Sequence, residues 1–246
     1  MPSFRTARVV AMLGERPGLQ RVEVAFPDGG ATAPATERAY VLTELVGPVS
    51  VGDPVVVNTT AVELGLGTGG WHVVHWNLAR TGWRAPGPGQ VMKLRYTSLQ
   101  ADTGAAEELH AGTLADADDL DDMPVVVCGL HSQLPCVAVA FKHLRPRARL
   151  VHVMTDAAAL PLALSELVAD MAAAGLLDAT VTAGHALGGD HEAVNLWSAL
   201  VAARHLLDAD AAVVAMGPGA VGTGTRLGHS ALEMGPALDA AESLGG

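Results

Sequence analysis

At 246 residues, half of them apolar, the chain is long enough to bury a substantial core and to form one or two domains. Its net charge of −11, −6 up to Met123 and −5 beyond, argues against nucleic acid and anionic lipid as partners. No apolar run approaches the roughly 18 to 20 residues needed to cross a bilayer, and the start MPSFRTARVV lacks a signal peptide's apolar core, so a cytoplasmic protein is expected. Cys128 and Cys136 are too few for a disulfide framework or a thiolate zinc site and are expected as buried free thiols.

From Arg5 to Tyr96 short apolar runs rich in β-branched residues are broken by Gly, Pro and Asp. Strands are expected at 7–13, 19–26, 38–45, 54–60, 71–76 and 90–96, paired antiparallel in a small barrel or sandwich. Gly65, Gly67 and Gly70 spell G-x-G-x-x-G but precede a strand, which suits a hairpin loop. Trp71, Trp76 and Trp83 suit the barrel's core or rim, or alternatively a lid. Residues 102–122 are polar and acidic, the composition of a solvated linker.

After Met123 strands alternate with helices. Residues 124–129, 150–154, 179–183 and 211–216 read as strands, and 132–144, 161–174 and 192–207 as helices whose crossovers require parallel pairing. The fold class expected is α+β with two domains, an N-terminal all-β barrel or sandwich followed by a Rossmann-like parallel α/β domain. The divisions fall at 1–101 for the β domain, 102–123 for the acidic linker and 124–246 for the α/β domain. Because the chain as given stops one helix after the fourth strand, that strand is expected to leave an edge for another segment or subunit, and a homo-oligomer is anticipated.

The α/β domain is organised around AAVVAMGPGAVGTGTRLGHS, residues 211–230. An apolar run leads into a loop carrying Gly217, Gly219, Gly222, Thr223, Gly224 and Thr225, and Ser230 with Glu233 has the S-x-x-E spacing of a capping box. Strand, bare backbone and helix start in that order suit a phosphate or carboxylate site. The literal G-x-G-x-x-G of Gly217, Gly219 and Gly222 argues only weakly for a dinucleotide, since Gly222-Thr223-Gly224-Thr225 delays the helix and Pro218 removes an N–H. The same glycines equally suit a long turn needing positive φ.

Ligands of parallel sheets bind beyond the carboxyl ends of the strands, where His131, Asp156, His185, Asp190, His191 and His229 are expected to gather. His131, Asp156, His185 and Asp190 are the candidate catalytic residues. Each has an ordinary structural alternative: Asp190 as the cap of a helix starting near His191, Asp156 as another cap, the histidines as hydrogen-bonded loop residues. His152, inside a strand, reads as buried structure. A metal would need two or three of the edge residues to converge, and no cofactor is specified. Elbow, Walker, zincin and cysteine-nucleophile signatures are absent from the sequence.

Met154 to Val168 (MTDAAALPLALSELV), Gly184 to His205 (GHALGGDHEAVNLWSALVAARH) and Val213 to Thr225 (VVAMGPGAVGTGT), with NTTAVELGLGTGG at Asn58 to Gly70, resemble a bacterial domain-of-unknown-function family, number 3866 of that series. The resemblance implies no reaction and no catalytic residues. It also implies that members continue beyond the position of Gly246, so that part of a site is expected past that point. Taken together, these features point to an enzyme acting on a small phosphorylated or carboxylated metabolite, or to a non-catalytic binding or sensing module.

Overall fold

A computed structural model describes residues 1–27 and 36–246. The chain forms two compact units, Met1–Pro86 and Gly87–Gly246. Together they make an α+β fold, a closed β-barrel and a separate parallel sheet with helices.

In the first unit β1 (Phe4–Arg16), β2 (Leu19–Ala25), β3 (Thr36–Leu42), the short helix α1 (Thr43–Val46), β4 (Pro54–Asn58), the helical turn α2 (Thr60–Glu63) and β5 (Trp71–Asn77) follow in order. The barrel closes as β1-β2-β3-β5-β4 because the thirteen-residue β1 pairs with β2 along one part and with β4 along the other. Alternation in these strands sends Val9, Val22, Val24, Val41, Val55, Val57 and Val74 inward. One pairing departs from the antiparallel expectation: β5 runs parallel to β3, since α1, β4 and α2 intervene and bring the chain back in the same direction. On the barrel's surface Tyr40 stacks on Trp71 at 4.5 Å, and the Arg38 guanidinium lies 4.8 Å from the Trp71 ring.

In the second unit the strand expected over 90–96 shrinks to β6 (Met92–Lys93), paired with β7 (Ala101–Asp102). The acidic stretch that follows is not simply solvated. It folds into α3 (Ala106–Leu109) and α4 (Ala111–Leu114), and Leu114, Leu120 and Met123 are buried in the core of this unit. Then come β8 (Val125–Cys128), α5 (Leu134–Leu144), β9 (Leu150–Thr155), α6 (Glu166–Ala173), β10 (Ala179–Ala183), β11 (His191–Ala193), α7 (Leu196–His205), β12 (Ala211–Met216) and α8 (Met234–Ser243), with 3-10 turns before α5, α6 and α8.

The sheet has five strands in the order β11-β10-β9-β12-β8, and every pairing in it is parallel. Two expectations are corrected here. His191 opens the extra strand β11 rather than a helix, and α7 starts only at Leu196, capped by Asn195, whose side chain accepts the Ser198 N–H at 3.0 Å. The last strand, β12, lies between β9 and β8 and so leaves no edge, which suits a run buried at all six residues. Alternate residues of β9 and β12 enter opposite cores: Val151, Val153, Ala212 and Val214 pack with α7 and α8, while Leu150, Met154, Val213 and Ala215 pack with α5 and α6. No helix among the described residues is long and apolar enough to cross a membrane. Cys128 is buried as expected, whereas Cys136, on α5, is exposed; both are free thiols.

Candidate functional site

β9 and β12 are neighbours, yet the chain leaves β9 toward α6 on one face and β12 toward α8 on the other. In parallel sheets, departure of neighbouring strands to opposite faces marks the edge where ligands bind. The loops from the two strands meet there: Ala159 donates its N–H to Pro218 O at 3.0 Å, and a Cβ on Gly217 would stand 2.1 Å from Ala159 O, so only glycine fits.

Ser230 and Glu233 do not form the expected capping box. The Ser230 hydroxyl accepts the Val221 N–H at 3.1 Å, while both Glu233 carboxylate oxygens lie 2.7 Å from the Thr155 hydroxyl at the end of β9. Half-burial pushes the Glu233 carboxyl above the ordinary value of 4.5; the Thr155 hydroxyl works against that shift and the nearby Asp156 charge adds to it. Asp156 itself is exposed and accepts the His185 backbone N–H at 2.9 Å. Its carboxylate lies so close to Gly184, at φ 64°, that a Cβ there would meet Asp156 Oδ2 at 2.3 Å. Thus Glu233, Asp156 and His185 gather where β9 and β10 end.

The segment around β6 adds groups that sequence reasoning passed over. The Lys93 ammonium, 1% exposed, donates to Thr182 O at 2.8 Å, Ala186 O at 2.6 Å and Glu192 Oε2 at 2.6 Å. Burial pulls its pKa down, and the Glu192 carboxylate opposes this. Glu192 also accepts the Thr182 hydroxyl at 2.6 Å and the Gly188 N–H at 2.7 Å. Next to Lys93, the Leu94 N–H donates to His185 Nδ1 at 3.0 Å, and Arg95 Nη2 stands 3.5 Å from His185 Nε2. A lone lysine in a stretch read as a barrel strand carried no visible signal, and the acceptors that hold it come from about ninety residues away.

The remaining candidates lie apart from this group or are fully engaged. His131 is buried, with Nδ1 2.9 Å from Met216 O and Nε2 2.6 Å from the Ser165 hydroxyl. Since a carbonyl only accepts, Nδ1 carries the proton and Ser165 donates to Nε2, while the same hydroxyl caps α6 by accepting the Val168 N–H. Burial lowers the His131 pKa, with the Met216 bond opposing. Asp190 lies by the start of β10, where it accepts the Thr180 N–H at 2.8 Å and the Thr180 hydroxyl at 2.9 Å, away from the carboxyl edge. His191 packs edge-on against His110 at 5.4 Å, and burial lowers its pKa.

In the glycine loop, Gly222 bridges His229, Thr223 donates its N–H to Gly228 O at 2.8 Å, and the Thr223 and Thr225 hydroxyls lie 2.9 Å apart. The loop is a small exposed hairpin that uses the amides of Val221 and Thr223 internally and leaves Gly219 and Gly224 at φ 93° and 77°. Among the described residues, three metal-ligand side chains come together only at Asp119, Asp121 and His205, on the surface, and not among His131, Asp156, His185, Asp190, His191 and His229.

The sequence matches the family described as "Protein of unknown function (DUF3866)" over residues 38–246. The chain belongs to that family. No curated protein and no solved structure matches it. The family match takes in β3 from Arg38, β4 and β5 of the barrel, leaves out β1 and β2, and covers the entire second unit, so the carboxyl-edge cluster lies wholly within it.

Proposed function

We propose that the protein is an enzyme acting on a small anionic metabolite, phosphorylated or carboxylated, by acid–base chemistry at the carboxyl edge of a Rossmann-like sheet. The observation that carries this reading is Glu233: a half-buried carboxyl with raised proton affinity, held by Thr155 beside Asp156, at the carboxyl end of β9, from which the chain departs to the opposite face from β12. A carboxyl that holds its proton above the usual range can give it to a leaving group or take one from a substrate carbon or hydroxyl. Asp156 sustains that affinity by its charge and is itself open to solvent. The glycine loop from Gly217 to Thr225 leaves β12 at the same edge, and its remaining amides offer a place for the substrate's anionic end.

A second reading, a non-catalytic binding or sensing module, is favoured by the engagement of His131 and Lys93: both ring nitrogens and all three ammonium protons are bonded within the protein. A thermal-shift screen of phosphorylated and carboxylated metabolites, followed by an assay for turnover of whatever stabilises the protein, separates the two. The enzyme reading expects turnover that falls about 100-fold or more in Glu233→Gln while the ligand still stabilises that variant. A ligand that is bound but never converted selects the binding module, and turnover indifferent to Glu233→Gln overturns the role given to that residue.

A further inference from the structure

Two left-handed residues flank Arg95: Leu94 at φ 51° and Tyr96 at φ 62°, conformations that side chains with a Cβ rarely adopt. Such a backbone persists only where its surroundings hold it, and here they do. Lys93 is pinned by three acceptors, and the Leu94 N–H is fixed on His185 Nδ1 at 3.0 Å. The consequence falls on Arg95, which is carried over the end of β10 with its guanidinium beside the His185 ring.

The chemistry of that approach is specific. His185 Nδ1 accepts the Leu94 N–H, so in the neutral ring the proton resides on Nε2. Arg95 Nη2 is also a donor, and it stands 3.5 Å from that Nε2. Two donors cannot bond to each other. Arg95 Nη1 donates to Met92 O at 3.3 Å, which leaves Nη2 and His185 Nε2 as neighbouring donors with no acceptor in common, and an oxyanion supplies one that both can share.

We propose that Arg95 and His185 form the oxyanion-recognition site of this protein and take the carboxylate or phosphate group of its ligand, with Lys93 as the residue that positions them. The proposal rests on the reading of the ligand as an anion and moves its recognition from the glycine loop to side chains on the strap of residues 92–97. Asp156, bonded to the His185 backbone N–H at 2.9 Å, lies on the other side of the same residue, so an anion held here presents the rest of the ligand to the carboxyls at the end of β9. An acidic edge thereby accepts an anionic ligand through Arg95 Nη2 and His185 Nε2 together.

The test is titration of the full chain with inorganic phosphate and, separately, with acetate, followed through the Arg95 Nε–H and the His185 ring resonances and by calorimetry. Both sets of resonances are expected to move saturably with one shared affinity. Arg95→Ala should weaken phosphate binding by about tenfold or more, and Arg95→Lys, which keeps the charge and loses the planar fork, by nearly as much. Leu94→Gly relaxes the left-handed residue without removing any side chain of the pair and should weaken binding a fewfold. Unchanged phosphate affinity in Arg95→Ala, or shifts confined to the amides of residues 217–225, overturns the proposal while leaving an anionic ligand in place. Absence of any saturable shift overturns it as well, and the turnover assay with Glu233→Gln then decides separately on the enzyme.

Discussion

His152 shows how strongly position governs a side chain here. It is fully buried in β9, its Nδ1 lies 3.1 Å from Val213 O, and its Nε2 has no partner among the described residues. Burial pulls its pKa from 6.5 to about 4. A base whose folded pKa is depressed binds protons more readily when unfolded, so its contribution to stability is complete above 6.5 and is lost as the pH falls toward about 4. His131, lowered in the same direction, adds to this trend. The loss associated with His152 is about 3 kcal/mol over that interval. Denaturant unfolding at a series of pH values should show it, and His152→Met should flatten the profile; an equally steep profile in the variant would sink the assignment. The same dependence on surroundings explains why the two cysteines differ: Cys128 closes β8 against the core, with burial raising its pKa, while Cys136 lies on the outer side of α5.

The strap and its lysine carry the lesson at the level of elements. β6 is two residues long and its pairing with β7 is too short to hold it, so the Lys93 ammonium anchors it to the carbonyls at the end of β10 and to Glu192 of β11. Removing one partner of a buried ion pair strands the other, at a cost of about 3 to 5 kcal/mol. Lys93→Met is therefore expected to destabilise by roughly that much, and adding Glu192→Gln should recover part of it, because the neutral amide can still bond Thr182 and Gly188. Equal stability of the single variant and wild type by chemical denaturation would mean that the anchor contributes nothing. The left-handed Leu94 and Tyr96 cost about 1 to 3 kcal/mol each, and the anchor offsets that strain.

At the scale of the molecule, charge and core both divide at Pro86. Residues 1–86 hold seven arginines and seven carboxylates, so the entire net charge of −11 belongs to residues 87–246, and the charge argument against polyanionic partners applies to that unit alone. The core of the second unit includes Leu114, Leu120 and Met123, and its sheet is braced by Lys93. Residues 87–246 expressed alone should thus fold with a cooperative thermal transition, whereas 124–246, lacking those contacts, should show exposed apolar surface and no sharp transition. A cooperative 124–246 would show that α3, α4 and the strap are accessories.

Local pattern carried much of this architecture. Valine-rich alternation in 7–76 is enough for a barrel or sandwich, because a strand with one apolar face has to bury it, and the continuous apolar runs at 150–155 and 211–216 are enough for a sheet covered on both faces. The glycines at 184 and 217 and the edge residues Asp156 and His185 were legible for the same reason: strand ends in such a sheet are where the backbone turns and ligands approach. What only tertiary structure decided is who meets whom. The insertion of β12 between β9 and β8, the diversion of Glu233 from a cap to Thr155, and the reach of Lys93 to residues 182, 186 and 192 are contacts between distant segments. Local propensity is blind to such contacts, because their free energy comes from burial and hydrogen bonds that exist only once the sheet has closed around them.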